Sequence, residues 1–195
     1  MRHPILTTLA ALLLALGLSG AANAGPFDDA LAAANRGDYA TAFRLWRPLA
    51  DQGNASAQFN LGLMYDNGQG VTQNHAEAVK WYRLAADQGY AAAQSNLGLM
   101  YANGQGVPQD NVQAVKWYRL AADQGNASAQ FNLGLIYYTG QGVPQNHVQA
   151  HKWFNLAGAG GDEDGRKNRD IVAKVMTPAQ IAEAQRLASE WKPKQ

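Results

Sequence analysis

The stretch from Asn54 to Gly89 is written nearly three times over, returning at Tyr90 to Gly125 and at Asn126 to Gly161. Each unit is 36 residues long, and 27 of 36 positions agree between the first and second units and 22 of 36 between the second and third, without a gap. A fixed period in the range of roughly 20–50 residues marks a solenoid, because one unit is too small to bury its own apolar face and does so against its neighbours. Function in such a chain is to be sought on a surface.

Within the unit, Ala57, Leu61, Met64 and Tyr65 recur at helical spacing and stop at Gly68, which predicts a helix A from Ala55 to about Asn67. Gly62 lies inside it and returns as Gly98 and Gly134. An interior glycine costs a helix about 1 kcal/mol against alanine, so its return predicts a partner helix too close for a side chain. Ala78, Trp81, Tyr82, Ala85 and Ala86 form one stripe of a helix B from His75 to about Asp87, with Lys80 and Arg83 outside the stripe. Asn74, Asp110 and Asn146 are its expected N-caps, with Glu77, Gln113 and Gln149 three positions on to complete a capping box. Asp87-Gln88-Gly89 and Asp123-Gln124-Gly125 end it with a glycine suited to the left-handed conformation. The loop Gly68-Gln69-Gly70 looks like a phosphate loop, but such a loop joins a strand to a helix and this one follows a helix.

The pattern A-x-x-N-L-G-x-x-Y-x-x-G-x-G-V, followed by A-x-K-W-Y-x-x-A-A-x-x-G, resembles the Sel1-like repeat. Leu61, Gly62, Tyr65, Gly68, Gly70, Val71, Ala78, Trp81, Tyr82, Ala85, Ala86 and Gly89 carry the resemblance, which extends from Asp38 to Gly161. It implies an α/α solenoid related to the tetratricopeptide repeats and a role as an adaptor or regulator that binds other proteins, often in bacterial envelopes. The family pattern marks packing positions and names no catalytic residue.

The rest of the chain is expected to close the stack. Pro26 to about Asn35 reads as a first helix, and a second, capped by Asp38 and running to Gly53, aligns with helix B; together they make a divergent first repeat. Pro48 removes a backbone hydrogen bond to the carbonyl of Arg44, which predicts a bend there. After Gly161, Asp162, Glu163 and Asp164 complement the dipole of a helix reaching about Val175. Thr177-Pro178-Ala179-Gln180 then starts a last amphipathic helix, after which Lys192 to Gln195 are expected to fray. The expected architecture is therefore wholly α-helical, a right-handed stack of helix pairs between an N-terminal pair and C-terminal capping helices, and a monomer.

Met1 to Ala24 has a basic start, an apolar run from Ile5 to about Leu18, and Ala22-Asn23-Ala24 before Gly25. This is the order of a secretory signal peptide cut after Ala24, which places the mature protein in the periplasm or beyond, with no membrane span after cleavage. Of the 16 basic residues Arg2 would leave with the signal, giving 15 against the 15 acidic ones, a balance that argues against nucleic acid as partner. The sequence has no cysteine, which excludes disulfides and thiolate chemistry. Asn54-Ala55-Ser56 and Asn126-Ala127-Ser128 match the glycosylation sequon but read as helix starts.

Catalytic patterns are missing: no G-x-S-x-G elbow, no serine–lysine pair at catalytic spacing and no dinucleotide fingerprint. His147 and His151 stand four apart on one helix, but no third ligand is indicated and no metal or other cofactor is expected. Two functional classes follow. One is a non-enzymatic interaction module of the envelope, binding a peptide or partner protein, whether of the envelope or of signalling, in the concave face. The other is a cell-wall or β-lactam-interacting protein with hydrolase-like activity, as described for a cysteine-rich branch of the family; the absence of cysteine departs from that branch. On a helical wheel Phe59 and Leu63 lie about 160° from Leu61. With their copies Leu99, Phe131 and Leu135, with Asn60, Asn96 and Asn132 beside them and with Tyr138, they form the expected binding stripe. Packing between adjacent units is the alternative role for these side chains, above all for Leu63, Leu99 and Leu135; Phe59 and Phe131 are the expected exposed anchors, because Ser95 replaces them in the middle unit.

Overall fold

The computed structural model of the protein describes residues 25–194. Among these, all regular structure is helical: α1 (Pro26–Asn35), α2 (Tyr39–Asp51), α3 (Ala55–Asn67), α4 (His75–Asp87), α5 (Ala91–Asn103), α6 (Asn111–Asp123), α7 (Ala127–Thr139), α8 (His147–Ala159), α9 (Glu163–Ala173) and α10 (Pro178–Ser189). Consecutive helices from α1 to α9 pack against one another, so α3/α4, α5/α6 and α7/α8 are three helix pairs in a stack. The expected signal segment lies outside the described residues. No described helix is long and apolar enough to cross a membrane.

The interior glycines explain how each pair closes. A Cβ added to Gly98 would stand 2.8 Å from Cδ1 of Tyr118, and at Gly62 and Gly134 the rings of Tyr82 and Phe154 come closer still. The aromatic ring of helix B therefore lies flat on the helix A backbone, and Tyr82, Tyr118 and Phe154 are fully buried there. Leu61, Leu97 and Leu133 fill the seam beside these rings with no exposure at all. The indoles belong to the boundary between units: Arg47 lies over Trp81 at 5.2 Å and Arg119 over Trp153 at 5.1 Å, each guanidinium coming from the preceding unit.

A row of buried glutamines, which sequence periodicity does not announce, also joins the units. Gln58, Gln94 and Gln130 donate from Nε2 to the carbonyls of Ala50, Ala86 and Ala122 at 3.0, 3.1 and 3.2 Å, in the last turn of the preceding helix B. Each of those carbonyls also accepts the N–H of the glycine that ends its helix, Gly53, Gly89 or Gly125, at 2.9–3.0 Å, so the amide fills the second acceptor position. Gln88 and Gln124 donate in turn to Oε1 of Gln58 and Gln94, at 2.7 and 2.8 Å. Gln94→Ala should cost about 1 kcal/mol, since it removes one buried bond to the Ala86 carbonyl, which keeps the Gly89 N–H, and the acceptor of Gln124. Urea unfolding measures it; a loss below about 0.5 kcal/mol would show that water replaces the amide without penalty.

Two local expectations are corrected. The helix B caps are half-formed: Asn74, Asp110 and Asn146 accept from the backbone N–H three residues on, but the reciprocal bond from Glu77, Gln113 or Gln149 is not made. Glu77 pairs with Lys80 on the exposed helix surface instead. Pro48, where a bend is expected, lies inside α2, which continues to Asp51. Arg44 and Pro48 both face outward, so the carbonyl deprived of its donor is within reach of water. Lys192 to Lys194 do not fray: Lys194 donates its N–H to the carbonyl of Asp123 at 2.7 Å and its ammonium to the carboxylate at 2.6 Å.

The C-terminal helices do not continue the repeat. α9 packs on α8 as a further helix A would, but α10 crosses back onto α8. Its capping box, Thr177 with Gln180, forms in both directions, the Gln180 side chain accepting from the Thr177 N–H at 2.8 Å.

Candidate functional site

Helices α3, α5 and α7 stand side by side as the first members of their pairs, and they carry one charged side chain between them, Asp66. The second members α4, α6 and α8 carry Lys80, Arg83, Lys116, Arg119 and Lys152 together with Glu77, Asp87 and Asp123. One set of helices is therefore neutral but for a single carboxylate, and the other carries charges of both signs, five cations against three carboxylates.

Two clefts open on the helix A face. One, of about 290 Å³, includes Leu99 on α5 together with Asn132, Leu135 and Ile136 on α7, over Tyr118. The other, of about 240 Å³, brings Asn60 and Leu63 on α3 together with Leu31 and Tyr39 of the N-terminal pair. Asn60 and Asn132 occupy equivalent positions and are half-buried at the cleft walls, which leaves amide groups among apolar side chains. Leu99 is the most open of the leucines at its position, with 42% of its surface exposed.

Between the two clefts the same face is closed by a polar network. Tyr82 donates to Oδ2 of Asp66 at 3.2 Å, and Nδ1 of His75 stands 2.8 Å from Oδ1 of the same carboxylate. Burial first, and the Asp66 carboxylate second, push the Tyr82 hydroxyl well above its ordinary pKa, so it remains a donor throughout the physiological range. The network occurs once. At the place of Asp66 the later units have Ala102 and Tyr138, and at the place of His75 the second unit has Asn111. The signal for it was present in the sequence, as a lone charge on three otherwise uncharged helices.

The anticipated stripe is thus divided. Asn60, Leu63, Leu99, Asn132 and Leu135 line the clefts, whereas Asn96 does not. Phe59 and Phe131 are not exposed anchors: the Phe59 ring packs 5.9 Å from Tyr82 and 5.1 Å from Tyr90, and Phe131 packs 5.7 Å from Phe154. Ser95, at the same position, is buried with 7% exposure, so the site lies in the seam between units and the smaller residue there is a packing variant. Tyr138 stacks on His147 at 5.8 Å, which occupies that ring within the chain.

His151 departs from the valines of the earlier units, Val79 and Val115. It is 3% exposed and its Nδ1 has no partner within the described residues. Burial, assisted by the charge of Arg169 and opposed by Asp170, holds its pKa below the ordinary imidazole value. Among the described residues no three metal-ligating side chains converge. The depressed pKa means that the unfolded chain binds the proton more readily, so stability is full above about pH 6.5 and falls as pH drops towards the folded-state value. Melting temperature should therefore fall on acidification from pH 7.5 to 5 by an increment that His151→Val removes. That variant should also gain about 1 kcal/mol at neutral pH, because an unpaired buried nitrogen is replaced by the residue the other units use. An unchanged pH profile in the variant would rule out His151 as the source.

The comparisons with known proteins agree with this geometry. The chain is similar to a Sel1 repeat protein from Oxalobacter formigenes, with 36% sequence identity, a TM-score of 0.70, and coverage of 73% of this chain and 59% of that one. It is also similar to c5321, a protective antigen present in uropathogenic Escherichia coli strains that displays an SLR fold, with 34% identity, a TM-score of 0.60, and coverage of 77% and 40%. The chain thus spans less than two-thirds of the length of either solved structure. No curated protein matches it. With the Sel1 repeat pattern matched over residues 33–54, 55–90, 91–126 and 127–162, the chain belongs to the Sel1 repeat family, whose members are generally protein-interaction modules.

Proposed function

We propose that the protein is a non-enzymatic adaptor of the bacterial cell envelope that holds an apolar peptide or helix of a partner protein against the face formed by α3, α5 and α7. The observation that carries this reading is the cleft of Leu99, Asn132 and Leu135, where an amide stands between apolar walls on an otherwise uncharged helix pair. Such a surface supplies contact area and hydrogen bonds without imposing a charge on the ligand, which suits an amphipathic helix or an extended segment. A photo-crosslinking residue at Leu135 should give a discrete protein adduct in the native host. The same residue at Val112, 64% exposed on another face, should not. Adducts of equal yield at both positions would remove the cleft from consideration.

The envelope location rests on the first 24 residues, with their basic, apolar and small-residue order. Cleavage after Ala24 would leave Gly25, the N-cap of α1, as the new terminus. Mass spectrometry of protein from the native host should find that terminus; a mature chain beginning at Met1 would refute export by this route.

A further inference from the structure

The chain's own tail is seated on the end of α6 in the manner of a ligand. Trp191 lies over the turn there, its Cη2 3.7 Å from where a Cβ on Gly125 would stand, with Cβ of Pro193 at 4.0 Å. Lys194 completes the contact through its two bonds to Asp123, one to the backbone carbonyl and one to the carboxylate. The chemistry of the seat is plain. A bare glycine admits the aromatic ring, an otherwise orphan carbonyl accepts an N–H, and a carboxylate beside the negative end of a helix dipole attracts the ammonium.

The seat is Leu120-Ala121-Ala122-Asp123-Gln124-Gly125, and Leu84 to Gly89 repeat it residue for residue. The backbone repeats as well: Gly89 and Gly125 have φ of 88° and 91°. Tyr90 and Asn126 each donate back at 3.1 Å, to Ala85 and Ala121. What differs is the cover. Leu156, in the third unit beside the tail, is half-buried in the cluster that includes Trp191. Its counterparts Leu84 and Leu120 are 48% and 42% exposed. The Asp123 carboxylate is only 18% exposed at Lys194, whereas Asp87 is open. A cleft of about 440 Å³ lined by Gln88, Gly89, Leu120, Asp123, Gln124 and Lys194 runs from the tail to the open copy.

We propose that Asp87, Gly89 and Leu120 form a binding site for an extended peptide segment of a partner that carries an aromatic residue followed three positions later by a lysine. The aromatic ring would lie on Gly89 and Leu120 and the lysine on Asp87, as Trp191 and Lys194 do one unit further on. This site is on the helix B side and is independent of the clefts on the opposite face. The third unit cannot offer another copy, because Ala159 stands where the aspartate would be.

The test is titration of the isotope-labelled full chain with an acetylated peptide of residues 189–195, followed by NMR. The expected result is saturable shifts of the Gly89 and Gln88 amides. Asp87→Asn, or norleucine for the second lysine of the peptide, should weaken binding roughly tenfold, the loss of one charge-assisted hydrogen bond. Asp87 is exposed and makes no ion pair, and an unchanged remainder of the spectrum verifies that the variant is folded. The proposal is overturned if the peptide perturbs only Gly125 and Asn126, by exchanging with the chain's own tail. It is equally overturned by shifts that Asp87→Asn leaves unaltered, or by no shift at millimolar peptide.

Discussion

Gly106→Ala is expected to lower stability by about 3 kcal/mol, and Gly89→Ala by only about 1 kcal/mol, although both glycines have positive φ. At Gly89, φ is 88° and a Cβ would meet nothing within 4 Å, so alanine incurs only the conformational cost. At Gly106, φ is 71° and a Cβ would collide with the backbone at the start of α4, with the nitrogen of Ala76 at 2.7 Å and the carbonyl of His75 nearer still. Backbone in a capped helix cannot swing aside as a side chain can. Gly70 and Gly142 make the same approach to Tyr39 and Asn111, so the loop of each unit is docked on the helix B of the unit before it. Urea denaturation of the two variants side by side isolates the steric part. Equal losses would mean that the loop relaxes and that docking contributes little.

Deleting Tyr90 to Gly125 as a whole should leave a shorter chain that folds cooperatively, whereas deleting Tyr90 to Asn103 alone should abolish the cooperative transition. Whole-unit deletion places Gly89 directly before Asn126, and every inter-unit device has its counterpart waiting. Gln130 can donate to Ala86 as Gln94 did, and Gly142 can dock on the start of α4 in place of Gly106. Stability should decrease by one unit and its interface, as in a one-dimensional array. Removing α5 alone takes away Leu97, Met100 and the glycine backbone on which Tyr118 lies, and so exposes Trp117 and Tyr118, both now buried. Circular dichroism during thermal melting distinguishes the cases. A cooperative melt of the half-unit deletion would show that α6 finds another partner, contrary to the packing described.

Much of this architecture was legible in the residues because the repeat states it several times. Recurrence of Gly62, Gly98 and Gly134 was enough to infer a close helix approach, and the structure supplies the rings that make it close. Helix limits followed from Asn54, Asn74 and Gly68, whose roles depend on neighbours within a turn. The candidate site was harder. Angle alone put Asn60, Leu63, Leu99, Asn132 and Leu135 on one side of helix A, where they line the two clefts, but it could not separate Leu63 from Phe59. Both lie away from Leu61; one borders a cleft, and the other packs on Tyr82 and Tyr90 across a unit boundary.

The sequence by itself determined the unit, its two helices, their inward stripes and the order of the stack, since these are set by local spacing and by a period that makes every neighbour the same. Only the tertiary structure decided what happens where units meet or where the repeat is broken. The glutamine ladder, the Asp66, His75 and Tyr82 network, the buried imidazole of His151 and the seating of Lys194 on Asp123 each join residues from different helices, and their energies depend on distances that no single helix fixes.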